Sequence, residues 1–164
     1  MPATAPTLHW QTLAFDALDA RQLYALLKLR SEIFVVEQAC AYLDPDGKDI
    51  HPDALHLLGH HGDALAAYLR ILPAGVGHRH PSIGRVVVAP AWRGTGVGHA
   101  LMREGVRALL ARWPGSEIRL GAQAHLSGYY AAHGFVPASP IYDEDGIPHV
   151  TMRRDPGVAL EDPR

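Results

Sequence analysis

The run Arg93-Gly94-Thr95-Gly96-Val97-Gly98 carries the strongest chemical signal in the chain. Alternating glycines let the backbone approach a ligand closely and turn successive N–H groups toward it. The apolar, β-branched segment IGRVVVAP precedes the run, and Val97, Leu101, Met102, Val106, Leu109, Leu110 and Trp113 follow it at helical spacing. A strand therefore feeds the turn, and a helix leaves it with its positive end directed back at whatever the turn holds. That arrangement suits a phosphate or pyrophosphate, to which Arg93 adds a charge-assisted bond. A Walker-type loop is excluded, because Gly98 is followed by His99 and Ala100 where Lys and Ser or Thr are needed. A dinucleotide fingerprint counted from Gly94 fits poorly: its third glycine falls on His99, and Glu117 begins its strand instead of ending it.

Other side chains offer proton transfer. Tyr130 lies four residues before a Gly134-Phe135 pair, on a short helix predicted over Ser127 to His133. Glu37 ends the first helical stretch, while Glu144 and His149 flank the turn Asp145-Gly146; each is able to take a proton, or to serve as an ordinary surface or turn residue. His149 alternates with Ile147 and Thr151 on one face of a strand and can point into a cleft. His56, within ALHLL, reads either as an acceptor-site residue or as a satisfied core histidine. Of the eleven histidines, six fall between His51 and His80, but no H-E-x-x-H or paired-Cys pattern accompanies them, so no metal site is expected.

The elements that must position these groups follow in a mixed order. Leu8 to Phe15 reads as a strand; Asp19 and Gln22 then form a capping box for a helix whose apolar face continues through Leu23, Leu26, Leu27, Ile33 and Phe34. AYLDPDGKDIHPD is predicted to be a long ordered loop, its aspartates acting as turn formers or as an attraction for a cationic amine. Two strands, 54–58 and 64–72, meet at His61-Gly62-Asp63 as a hairpin. After the glycine turn and its helix, 117–122 gives another strand, and 135–142 with 148–153 a closing hairpin.

Bulk properties bound the setting. One domain is expected over 7–154, with 1–6 and 155–164 as loose ends, and 164 residues suffice for a true core. A formal net charge of -2 argues against nucleic acid held through its phosphates. A single cysteine, Cys40, rules out an intrachain disulfide and points to the cytoplasm, and no apolar stretch is long enough to span a membrane.

Arg93, Gly96 and Gly98 match the R/Q-x-x-G-x-G/A pyrophosphate loop of the GCN5-related N-acetyltransferase (GNAT) superfamily, which the chain resembles over nearly all of residues 8 to 153. RSEIFVVEQ, DPDGKD, IGRVVV, GAQAH and DGIPH are similar to the ElaA-like subgroup in particular. The resemblance implies an α+β fold with a mostly antiparallel sheet of about six or seven strands, splayed in the middle and flanked by about four helices. It implies acetyl-CoA as acetyl donor, with the pantetheine arm against the strand of Val86, Val87 and Val88 through the backbone of Val86 and Val88, and the pyrophosphate on Arg93, Gly94, Thr95, Gly96, Val97 and Gly98. Gln123 stands where many relatives carry a coenzyme-binding Asn, seven residues ahead of Tyr130. Tyr130 also corresponds to the proton donor for the departing thiolate, and Glu37, His56 and His149 fall where relatives build the acceptor site, Glu37 with a catalytic reading as well. The implied reaction is direct attack of a small-molecule or peptide amine in a ternary complex, by a monomer or a homodimer; a noncatalytic acyl-CoA binding module of the same fold is the alternative.

Overall fold

In the computed structural model, which describes residues 5–160, eight strands and three α-helices form a single sheet with helices on both faces. The elements are β1 (His9–Ala14), α1 (Ala20–Arg30), β2 (Leu55–His61), β3 (Ala64–Leu72), β4 (Ser82–Val88), α2 (Val97–Arg112), β5 (Ile118–Gln123), α3 (Ser127–Ala131), β6 (Phe135–Pro137), β7 (Tyr142–Glu144) and β8 (Ile147–Arg154). The sheet order is β1-β2-β3-β4-β5-β8-β6, with β7 paired to β8. All pairings are antiparallel except β4 with β5. No helix among the described residues is long and apolar enough to cross a membrane.

The sheet alternates as a two-sided layer must. Leu57, Leu69 and Ile71 turn to one face and pack with Leu101, Met102, Val106 and Leu109 of α2. Leu58, Tyr68 and Val87 turn to the other and pack with Leu26, Leu29 and Ile33. Gly105 is what lets α2 lie so close: a Cβ there would sit 2.5 Å from Leu69 Cδ2.

The capping box forms as expected, Gln22 N–H donating to Asp19 Oδ1 at 2.7 Å and Asp19 N–H to Gln22 Oε1 at 2.9 Å. Beyond Arg30 the helix loosens into a π-helical segment, Ser31–Glu37, instead of ending. The apolar spacing through Ile33 and Phe34 therefore belongs to one bent element, and this segment takes the place of the expected fourth helix. The expected strand over 135–142 is two strands. Pro140 cannot donate to a ladder, and Ser139 interrupts it: Thr151 N–H donates to Ser139 Oγ at 2.9 Å. The tail expected to be loose from Asp155 turns back at Gly157, because the buried Arg154 guanidinium donates to Val158 O at 2.8 Å and Leu160 packs on the core. Residues 1–4 and 161–164 lie outside the described part of the chain.

Candidate functional site

β4 and β5 part in the middle of the sheet. Their parallel pairing consists of the single register Ser82↔Arg119, after which the second half of β4 pairs only with β3. Ala89 N–H bonds to Ala66 O on the β3 side, so alternation directs the backbone groups of Val88 and Val86 to the opposite, unpaired edge. Val86 and Val88 pack their side chains on the α2 face and Val87 on the α1 face.

The cause of the parting lies at Arg85, which holds φ at 53° in the left-handed region although it is not glycine. Such a conformation costs on the order of 1–3 kcal/mol and persists only where its surroundings fix it. Arg85 Nε lies 2.8 Å from Asp44 Oδ1 as an ion pair without hydrogen-bond alignment, and Nη2 donates to Asp44 O at 3.1 Å and to Asp46 Oδ2 at 3.3 Å. The β3 register shifts between Tyr68 and Arg70, directly opposite. A bulge, clamped by loop aspartates, thus bends β4 away from β5.

Beside the open edge lies the glycine turn. Gly94 and Gly96 have φ of 73° and 87°, which side chains rarely adopt, and a Cβ at Gly96 would also meet Ala5 at 3.2 Å. Gly96 caps α2 with no side-chain acceptor, leaving the first-turn N–H groups without intrahelical partners. Thr95 turns its hydroxyl inward to Trp92 O, and Val97 buries its side chain in the core, so these two offer a ligand backbone only. Gly98 lies under Tyr129, whose hydroxyl donates to Gly98 O and ties α3 to the turn.

A cleft of about 880 Å³ runs from this turn along β4 to the β7–β8 hairpin. Arg93, Gly94, Gly98, Val86, Val87, Val88, Gln123, Tyr130, Glu37 and His149 all line it. Two bridges cross it: Arg93 Nη2 donates to Glu37 Oε1 at 2.7 Å, and Gln123 Nε2 to Gln38 Oε1 at 3.1 Å. Tyr130 is buried, with its ring edge-on to Tyr129 and Phe135, and burial pushes its hydroxyl up to about 12. It is protonated at neutral pH and able to donate. Cys40 also lines the cleft, and its thiol faces the carbonyl of Asp145 at 3.4 Å.

His56 does not line the cleft. It is fully buried, with Nδ1 2.7 Å from the Tyr68 hydroxyl and Nε2 3.0 Å from Asp49 O. Burial holds it below the usual imidazole range. The core reading is the correct one, and the acceptor-site assignment of His56 falls, because β2 turns that side chain under the loop.

The loop from Cys40 to Asp53 is held by an internal ion cluster. Arg30 Nε donates to Asp44 Oδ2 at 2.8 Å and Arg30 Nη1 to Asp49 Oδ1 at 2.7 Å. Arg70 Nη1 bridges Asp49 at 2.9 Å and Asp46 at 2.8 Å, and Arg85 completes the set. Burial alone would raise Asp49 and Asp46; the bonds and charges of their arginines outweigh it and hold both carboxyls below the usual range. The acidic run is therefore committed to arginines and does not await a cationic amine. Among the described residues no group of three or more His, Cys, Asp or Glu side chains is placed to hold a metal ion.

Residue order alone did not single out Tyr129, Gln38 or the cluster arginines Arg30, Arg70 and Arg85. Arginine in a β-branched strand and paired aspartates in a loop were visible signals, but their partners lie up to 41 residues apart.

A family of acetyltransferase (GNAT) domains matches residues 43–156. Protein ElaA of Escherichia coli is 46% identical over 148 residues, covering 90% of this chain and 97% of its own. Its crystal structure superposes with a TM-score of 0.86, covering 91% of this chain and all of the other. The crystal structure of an acyl-CoA N-acyltransferase from Pseudomonas aeruginosa gives the same TM-score at 44% identity, over 90% of this chain and 99% of that one. The chain belongs to the GNAT acyltransferase family and is ElaA-like, with the GNAT fold.

Proposed function

We infer that the protein is an N-acetyltransferase that takes acetyl-CoA as donor and a primary amine, on a small molecule or a peptide, as acceptor. The observation that carries this reading is the unpaired edge of β4 opening directly onto the uncapped start of α2. A pantetheine arm pairs with the backbone of Val86 and Val88 as an added strand would. The pyrophosphate then falls on the N–H groups of Gly94 to Gly98 at the positive end of α2. Arg93 leaves Glu37 to meet it, so Glu37 holds the arginine in place until the coenzyme arrives.

The thioester is thereby held in the cleft next to Tyr130. Attack by a neutral amine forms the C–N bond, the C–S bond breaks, and the Tyr130 hydroxyl protonates the departing sulfur. Direct transfer in a ternary complex needs no covalent enzyme intermediate. Cys40 is buried, and its thiol donates to the carbonyl oxygen of Asp145 rather than to a side-chain base among the described residues. His149 of β8, paired in register with Gln123 of β5, lines the acceptor end.

Calorimetric titration with acetyl-CoA, with ATP and NAD as controls, tests the reading. Saturable binding near micromolar, about -8 kcal/mol, is expected for acetyl-CoA alone. No binding at about 1 mM, where affinity is only about -4 kcal/mol, contradicts it.

A further inference from the structure

We propose that His149 is the proton acceptor for the incoming ammonium and that Glu144 is its positioning residue, an inference that rests on the acetyl-transfer reading above. His149 is half-buried on β8 and faces the cleft. Its Nδ1 lies 2.7 Å from the Ile147 carbonyl oxygen, which can only accept, so Nδ1 carries a proton. Nε2 is then the nitrogen that takes up or gives back a proton, and it lies 3.3 Å from Glu144 Oε2. The carbonyl fixes the tautomer, and the exposed Glu144 carboxylate pairs with the imidazolium once Nε2 has taken its proton.

The surroundings hold this ring still. Tyr142 stacks on it at 6.2 Å and 25°, and the Tyr142 hydroxyl is fixed at 3.2 Å from Thr151 Oγ1, on the same face of β8. That hydroxyl lies over Gly121, where even a Cβ would approach it to 3.4 Å. Glu144 and Tyr142, both from β7, contact the ring, and β5 faces it with the uncharged Gln123. Among the loops lining the cleft, His78 is near enough to Glu144 and Lys48 for their charges to act on its imidazole.

The protons balance as follows. The acceptor ammonium gives one proton to Nε2 and becomes the neutral amine. Its nitrogen attacks the thioester carbon, the sulfur leaves and takes the Tyr130 proton, and the second proton lost by the nitrogen restores that hydroxyl. The His149 proton is released to solvent, giving an amide, free thiol and one proton per turnover.

The test compares two probe acceptors, n-butylamine, which is an ammonium at neutral pH, and hydroxylamine, which is already neutral. His149→Gln should lower kcat/KM for n-butylamine by about 10²–10⁴-fold at pH 7. The loss should shrink as pH rises, hydroxylamine turnover should be nearly kept, and acetyl-CoA should bind as in the wild type. Glu144→Gln, at an exposed position, should lower kcat/KM for n-butylamine more than for hydroxylamine. Equal losses with both acceptors, or n-butylamine turnover unchanged in either variant, overturn the proposal. Wild-type protein that fails to bind acetyl-CoA, or that acetylates neither probe, overturns the reading on which it rests.

Discussion

The two ends of the cleft are built from different materials. At the end we assign to the coenzyme the surface is mostly backbone: an unpaired strand edge, two glycines at positive φ and a helix start without a side-chain cap. At the end we assign to the acceptor it is side chain, carried by a loop that three arginines and three aspartates hold from beneath. Backbone recognition tolerates exchange of side chains, provided the glycines remain. A loop held by buried charges has no such tolerance, since removing one partner leaves another charged and dry. Arg85 joins the two ends, because the same contacts that anchor the loop also hold the kink that opens β4.

The sharpest separation of binding from chemistry is Tyr130→Phe. Turnover should fall by about 10²–10⁴-fold with acetyl-CoA affinity unchanged, as stopped assays and calorimetry would read. Comparable turnover would remove Tyr130 as the donor to sulfur.

Breaking the acceptor end alone is the purpose of Asp49→Asn, which leaves Arg30 and Arg70 short of a charge partner. Destabilisation of about 3–5 kcal/mol is expected in urea unfolding, because the remaining charges stay buried. Where the variant is still folded, kcat/KM for the amine should fall more than coenzyme affinity. The converse is Gly96→Ala. A left-handed conformation costs a non-glycine residue roughly 1–2 kcal/mol, so acetyl-CoA should bind about tenfold more weakly with the acceptor KM little changed.

Acid should act on both sides of the cleft, through His56 beneath the loop and through His133, whose Nε2 lies 2.9 Å from Nδ1 of His99 just after the glycine turn. His56 and His133 are held below the ordinary value of 6.5, His133 at about 4, both chiefly by burial. Their neutral forms stabilise the fold fully above pH 6.5, and that contribution is lost as pH falls toward their folded values. Asp46 and Asp49, also depressed, add a second loss below about pH 4, the unfolded carboxylate range. Tm measured against pH should therefore decline in two stages, and a flat profile between pH 7 and 4 would contradict the burial of the two imidazoles. The smallest effect belongs to Cys40→Ala, which should leave kcat nearly intact; a collapse with binding preserved would mean a covalent route.

The glycine turn and the elements on either side of it were legible in the sequence because they are local: strand, turn and helix lie within Ser82 to Arg112 and announce themselves by β-branching, glycine and helical spacing. The charge cluster under the loop was not. Asp44 and Arg85 are 41 residues apart, and nothing in DPDGKD says which cations its aspartates meet. His56 and His149 show the same difference in miniature. Both lie in alternating strands, but only the fold decides that one faces a buried tyrosine and the other the cleft. The interrupted strand at Ser139 also escaped local pattern, since a side chain replaces a backbone acceptor there.

Amide hydrogen exchange, with and without acetyl-CoA, tests the coenzyme assignment most directly. The account predicts new protection at the N–H groups of Val86, Val88, Gly94, Gly96 and Gly98, with β2 and β3 unchanged. Binding of acetyl-CoA that leaves these five amides exchanging as before would contradict it.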